Sequence, residues 1–347
     1  MNLSVKNENK LSIAIIAVIT GLIIGSVGSF FIGKNISEKK LSGGVDKNSV
    51  PLRDKSGDYQ FIKPLLLCNI SEPKDVQQFR PIEDIIKNFI ATLPNRQSDI
   101  ISFYFRDLVT GQWTGTNESE RYFPASLLKV PTAIAFYKLA ETQPELLSKK
   151  IFFDGKLDAN AREYFKPSQT LHIGESYTIE ELLRRMIIYS DNNAVRLLHS
   201  NIDPGFLQEV YSDLGIELPD VNESSDFITV KEYSLFFRLL FNATYLNREF
   251  SEKILTLLTG SDFSEGIRVG VPTNIPVAQK FGETQLIDPE TQNVNVRELH
   301  DCGIIYYPNH PYLLCIMTKG NSFENLTQDI KKISQLVYDW IDQQFND

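Results

Sequence analysis

Cysteine is scarce: the chain has 347 residues and only three cysteines. That excludes a scaffold built from disulfides and a cysteine-rich zinc cluster. Basic excess is also missing. Lys and Arg number 35 against 44 Asp and Glu, a net charge of −9, which argues against a general nucleic-acid binder. Only one long hydrophobic run occurs, so a polytopic membrane protein is excluded. No Gly-x-x-x-x-Gly-Lys-Ser/Thr phosphate loop is present. The four histidines, His172, His199, His300 and His310, share no metal-ligand spacing and read as surface or packing residues. No cofactor or metal is therefore expected. What the chain has is 42% hydrophobic and 23% charged residues, the composition of a globule with a sizeable core.

The one apolar run is Ser12 to Ile32, uncharged throughout. It is long enough to cross a bilayer as a helix and too long for the core of an ordinary signal peptide, although Ser26-Val-Gly-Ser offers a cleavage-like site. Residues 1–11 would then be a cytoplasmic tail. Lysines flank both ends (Lys6 and Lys10 before; Lys34, Lys39 and Lys40 after), and their balance leans weakly towards a cytoplasmic C-terminus. Residues 33–77 read as a tether, with 34–60 rich in Lys, Asp, Ser, Gly and Asn. Leu65-Leu66-Leu67-Cys68 resembles a lipid-attachment box but lies far downstream of the apolar run, a chance match.

From residue 78 to 347 the pattern is globular. Pro81 opens a helix with apolar residues at 82, 85, 86, 89, 90 and 93. Ile100–Leu108 predicts a strand, and Thr110-Gly111 turns it into a second around Trp113. Residues 126–260 read as mostly helical, with a capping box at Thr178-x-x-Glu181 and another helix over about 230–242. Strands follow at 277–284, 302–307 and 312–318, the last two joined by a turn at 308–311. Phe323–Phe345 closes the chain as a helix. The predicted class is α+β: one antiparallel sheet built from both ends of the domain, with an inserted all-helical subdomain beside it. Cys302 and Cys315 fall on neighbouring strands; packing is their default reading, and a bridge between them stays open.

Three local patterns carry chemistry. In Pro124-Ala-Ser-Leu-Leu-Lys-Val-Pro131, Ser126 and Lys129 stand one helical turn apart. A serine becomes a nucleophile when a neighbour takes its proton, and a dehydrated lysine can do so. Ser-x-x-Lys recurs at Ser37/Lys40 and Ser71/Lys74, so it is weak alone. Tyr189-Ser190-Asp191-Asn192-Asn193 lies between two helices, where Ser, Asp and Asn also serve as caps. Lys280-Phe281-Gly282 puts a lysine in an apolar strand, before a glycine that lets a ligand approach the backbone. Lys55-Ser56-Gly57 has a similar form but sits in the tether.

Taken in order, Ser-x-x-Lys, Ser-Asp-Asn and Lys-x-Gly resemble the serine β-lactamase and penicillin-binding protein superfamily. The match is strongest to class A β-lactamase-like catalytic domains over roughly residues 78–347. The resemblance implies an acyl-enzyme on Ser126, with Lys129 as its base and Ser190 relaying a proton to the leaving nitrogen. It implies that Asn192 binds the substrate amide and helps hold Lys129. Lys280, Phe281 and Gly282 would lie along the substrate, with an oxyanion hole from the backbone N–H groups of Ser126 and Glu283. Asp191 would brace its loop. The substrate would be a β-lactam or a peptidoglycan-type amide, which places the domain outside the cytoplasm, against the weak lysine balance. Two departures stand out. Phe281 replaces the usual hydroxyl residue, which would help bind a substrate carboxylate, so weaker binding of such carboxylates is expected. The segment Glu217–Asp226 lacks the Glu-x-x-Leu-Asn pattern whose glutamate activates the deacylating water. Slow deacylation is therefore expected, and a silent binding module on the same fold is the alternative.

Overall fold

The computed structural model describes residues 52–54, 57–67, 77–93, 100–216, 226–287 and 294–346. The apolar run at 12–32, Cys68, Glu217 and Glu223 lie outside them. Among the described residues no helix is long and apolar enough to cross a membrane.

A short pair, β1 (Leu52–Arg53) and β2 (Leu65–Leu67), comes first. It lies within the stretch that composition assigned to a tether. Here Phe61 and Ile62 are buried, and the Glu252 carboxylate accepts the backbone N–H groups of Gln60, Phe61 and Ile62. One carboxylate thus replaces the hydrogen bonds that a strand partner would supply.

Helix α1 (Arg80–Thr92) precedes β3 (Ile100–Asp107) and β4 (Trp113–Thr116). β5 (Arg121–Tyr122) leads into a 3-10 turn, Ala125–Leu128, and α2 (Lys129–Ala140). A hairpin of β6 (Lys150–Phe152) and β7 (Ser176–Thr178) brackets a long irregular segment. Then come α3 (Ile179–Ile188), α4 (Asn192–His199) and α5 (Pro204–Asp213), followed by β8 (Ile228–Thr229), α6 (Val230–Asn242) and α7 (Arg248–Thr259). β9 (Val277–Ile287), β10 (Val294–Ile305), β11 (Tyr312–Gly320) and α8 (Phe323–Phe345) end the domain.

The main sheet has the order β4-β3-β11-β10-β9, antiparallel throughout, so strands from both ends of the domain meet at β3 and β11. Both faces are covered. On β3, Phe103 and Phe105 join the layer with α1 and α8, while Tyr104 joins the helical block. That alternation explains why the strand reads as continuously apolar. Thr178 caps α3 by accepting from the Glu181 amide, as predicted, and Thr229 with Glu232 forms a full capping box for α6.

Two expectations change. The block 126–260 is not helical over 150–178: it carries the β6–β7 hairpin and an intervening segment with Gly155 and Gly174 at positive φ. Strand β10 begins at Val294 rather than 302, because pairing with β9 carries it past the charged Arg297-Glu298 pair. Cys302 pairs directly with Cys315 across β10 and β11, and the two form a disulfide with Cα atoms 4.0 Å apart.

Candidate active site

The turn before α2 positions Ser126. Ala125 has φ +48°, an uncommon conformation for a residue with a side chain, and Ser126 follows it in the 3-10 turn rather than in the α-helix itself. Lys129 is the first residue of α2. That helix is buried almost all round (Val130, Ala133, Ile134, Phe136 and Tyr137 at 0% exposure), so it carries the lysine into the core.

The Ser190 turn lies opposite, between α3 and α4, with Ser190 at φ +56°. Lys129 Nζ donates to the Ser190 carbonyl at 2.7 Å and to its Oγ at 2.8 Å. Lys280, on edge strand β9 and fully buried, donates to the same Oγ at 2.9 Å and to the Phe281 carbonyl at 3.0 Å. Both lone pairs of the hydroxyl are then occupied, which leaves its own proton free to be donated. Burial is the dominant influence on both lysines. It lowers the Lys129 pKa to about 7, against the opposing pull of Glu163, Asp191 and Glu283. It lowers that of Lys280 strongly, aided by Lys129 and opposed by Asp301.

Gly282 is required by contact. A Cβ there would lie 2.7 Å from the Pro124 carbonyl oxygen and 3.0 Å from the Leu127 nitrogen. This packing brings the backbone at Glu283 alongside the Ser126 turn. A cavity of about 330 Å³ is lined by Ser126, Lys129, Asn192 and Glu283 together. Phe281 does not line it. Its ring stacks on Phe263, centroids 4.0 Å apart, and faces a neighbouring cavity with Phe165. Lys280 Nζ nevertheless lies over the Phe281 ring, 4.2 Å from its centroid, so the ring borders the lysine without entering the Ser126 cavity.

Asp191 is a brace, as expected. Fully buried, it accepts from the amides of Leu171 (3.1 Å) and Asn193 (2.9 Å) and from Asn160 Nδ2 (2.7 Å). These bonds fold the 158–171 segment onto the catalytic turn and deliver a residue the motifs do not contain. Glu163 lines the Ser126 cavity, and its Oε1 accepts from Asn192 Nδ2 at 2.8 Å. The Asn192 amide nitrogen is therefore engaged with Glu163 instead of holding Lys129. His199 lines the cavity as well, with Nε2 3.5 Å from Thr132 Oγ1 and its pKa lowered by burial. Among the described residues, no group of three or more His, Cys, Asp or Glu could hold a metal.

The family model described as "Beta-lactamase enzyme family" matches residues 81–341. The chain belongs to this family. Solved structures of similar fold include PBP-A, at 17% identity over 76% of this chain and 96% of that one, with a TM-score of 0.62. The TLA-3 extended-spectrum β-lactamase aligns at 15% identity over 76% and 98%, TM-score 0.64. A β-lactamase from Xanthomonas campestris aligns at 20% identity over 75% and 98%, TM-score 0.61. No curated protein sequence matches the chain. At these identities the solved structures establish the β-lactamase-like α+β fold, while the family model supports a serine hydrolase of β-lactamase type.

Proposed function

We propose that this β-lactamase-family protein forms an acyl-enzyme on Ser126 with β-lactams or peptidoglycan-type amides. The carrying observation is the Ser190 hydroxyl held by both Lys129 and Lys280 beside the Ser126 cavity. Lys129, in its neutral form, takes the Ser126 proton as Oγ attacks the carbonyl. Ser190 passes a proton to the leaving nitrogen. Backbone N–H groups of Ser126 and Glu283 receive the oxyanion. Asn192 binds the amide of the substrate, and Gly282 leaves it room. Deacylation is slow, because the Glu217–Asp226 sequence supplies no water-activating glutamate in the usual pattern, and Phe281 supplies no hydroxyl for a substrate carboxylate.

A related likeness supports the choice of probe: a point mutant of PBP-A is described as an acyl-enzyme complex with penicillin G. The full chain incubated with penicillin G should gain the mass of the intact drug, mapped to Ser126. Ser126→Ala should gain nothing. A silent binding module is the second reading, motivated by Phe281, and would bind the drug equally with or without the Ser126 hydroxyl.

We further propose that residues 12–32 anchor the protein as a single-pass helix with residues 1–11 in the cytoplasm and the catalytic domain outside, where such amides lie. Protease added to intact cells should then remove the domain. A protected domain would overturn the orientation.

A further inference from the structure

Glu163 and Glu283 face the Ser126 cavity from opposite elements, the 158–171 segment and strand β9. The two carboxyls lie close enough that the Glu163 charge opposes ionisation of Glu283. Their surroundings differ. Glu283 is 7% exposed and accepts from the backbone amide of Phe165 at 2.8 Å. Glu163 is half-buried and accepts from the Asn192 amide, which suits a carboxylate. Burial is the main cause that raises Glu283 out of the ordinary carboxylate range, with the Glu163 charge adding to it. Glu163 is thus the member that the Asn192 amide holds at the wall of the Ser126 cavity.

The second half of an acyl transfer needs a base. We propose that Glu163 is the proton acceptor for the nucleophile that attacks the Ser126 acyl-enzyme. This rests on the acyl-enzyme reading above. The oxygen of water forms a bond to the acyl carbonyl carbon while its proton passes to Glu163. The tetrahedral intermediate collapses by breaking the bond from carbon to Ser126 Oγ. The proton returns to that oxygen through Lys129, whose charged form Glu163 favours. The products are the free acid and the Ser126 hydroxyl. Because Glu163 is tied to Asn192, it is a restrained base, consistent with slow turnover. It comes from the segment preceding Ser190-Asp191-Asn192, outside the stretch where the family pattern would be sought.

The test follows adduct formation and decay on the full chain by mass spectrometry, with penicillin G as probe. Glu163→Gln keeps an acceptor for Asn192 and removes the base. Its adduct should outlive the wild-type adduct by at least about tenfold, with formation slowed far less. In Glu163→Ala, added formate should speed decay, an effect absent from the wild type. A variant that only lost packing would not respond to formate. Equal adduct lifetimes in wild type and Glu163→Gln, or formation slowed as much as decay, would overturn the inference while leaving the acyl-enzyme intact. No adduct on the wild type would remove both readings.

Discussion

On one side of the Ser126 cleft, Lys129 and Lys280 sit at 4% and 0% exposure and donate to a single serine oxygen. On the other, Glu163 and Glu283 both line a partly open cavity. Both walls hold like charges close together. Burial lowers the pKa of both lysines and raises that of Glu283. The difference lies in what fixes them. The lysines ride on regular elements, α2 and β9, whose positions follow from core packing. In the carboxyl wall Glu283 also rides on β9, and only Glu163 depends on an irregular segment, held by side-chain bonds to Asp191 and Asn193. The first wall is rigid by construction; the second, at Glu163, is only as firm as its polar network.

The largest expected effect breaks the lysine wall. Lys129→Met removes the proposed base for Ser126 and should slow adduct formation about 10²–10⁴-fold in quenched mass spectrometry. A loss below tenfold would assign the proton to another group. Next in size is the sheet beneath that wall, where Cys302 pairs with both Lys280 and Cys315. Cys302→Ala opens the bridge, and denaturant unfolding should show a loss of about 3 kcal/mol for a loop of this length. Unchanged stability would mean that the bridge contributes nothing to holding β10 and β11. Asp191→Ala attacks the carboxyl wall through its brace. It should raise amide exchange over 158–171 while α2 and β9 stay protected, because only the former depends on Asp191. Equal loosening of both walls would refute the contrast. The smallest effect belongs to Glu283→Gln. Burial raises the Glu283 pKa to about 7, so losing its charge near neutral pH should change adduct formation by less than about threefold.

The same contrast explains what the sequence could reveal. Ser126, Lys129, Ser190, Asn192, Lys280 and Gly282 are legible because each lies at a local signal: a helix start, a capped turn, a strand before glycine. The sheet assembled from both ends is legible for the same reason, with β3, β11 and α8 carrying clear periodicity. Glu163 is not. Its place depends on contacts from Asp191 to Asn160 and Leu171, reached across 31 and 20 residues, which no local pattern encodes. The segment 150–178 reads as helical in the sequence, yet its structure comes from the short β6–β7 pairing and from turns. Phe281 is legible as a strand residue, but its side chain turns to Phe263 and Phe165, a direction that needs the strand's facing to be known.

The central claim is that Ser126 is activated by a lysine stripped of water. The most direct measurement is the rate of penicillin G adduct formation as a function of pH. Only the neutral amine can accept the serine proton, so the rate should be low in acid, rise through about pH 7 and stay high above it. A rate that climbs only near the ordinary lysine value, or that shows no rise between about pH 5 and 9, would contradict it.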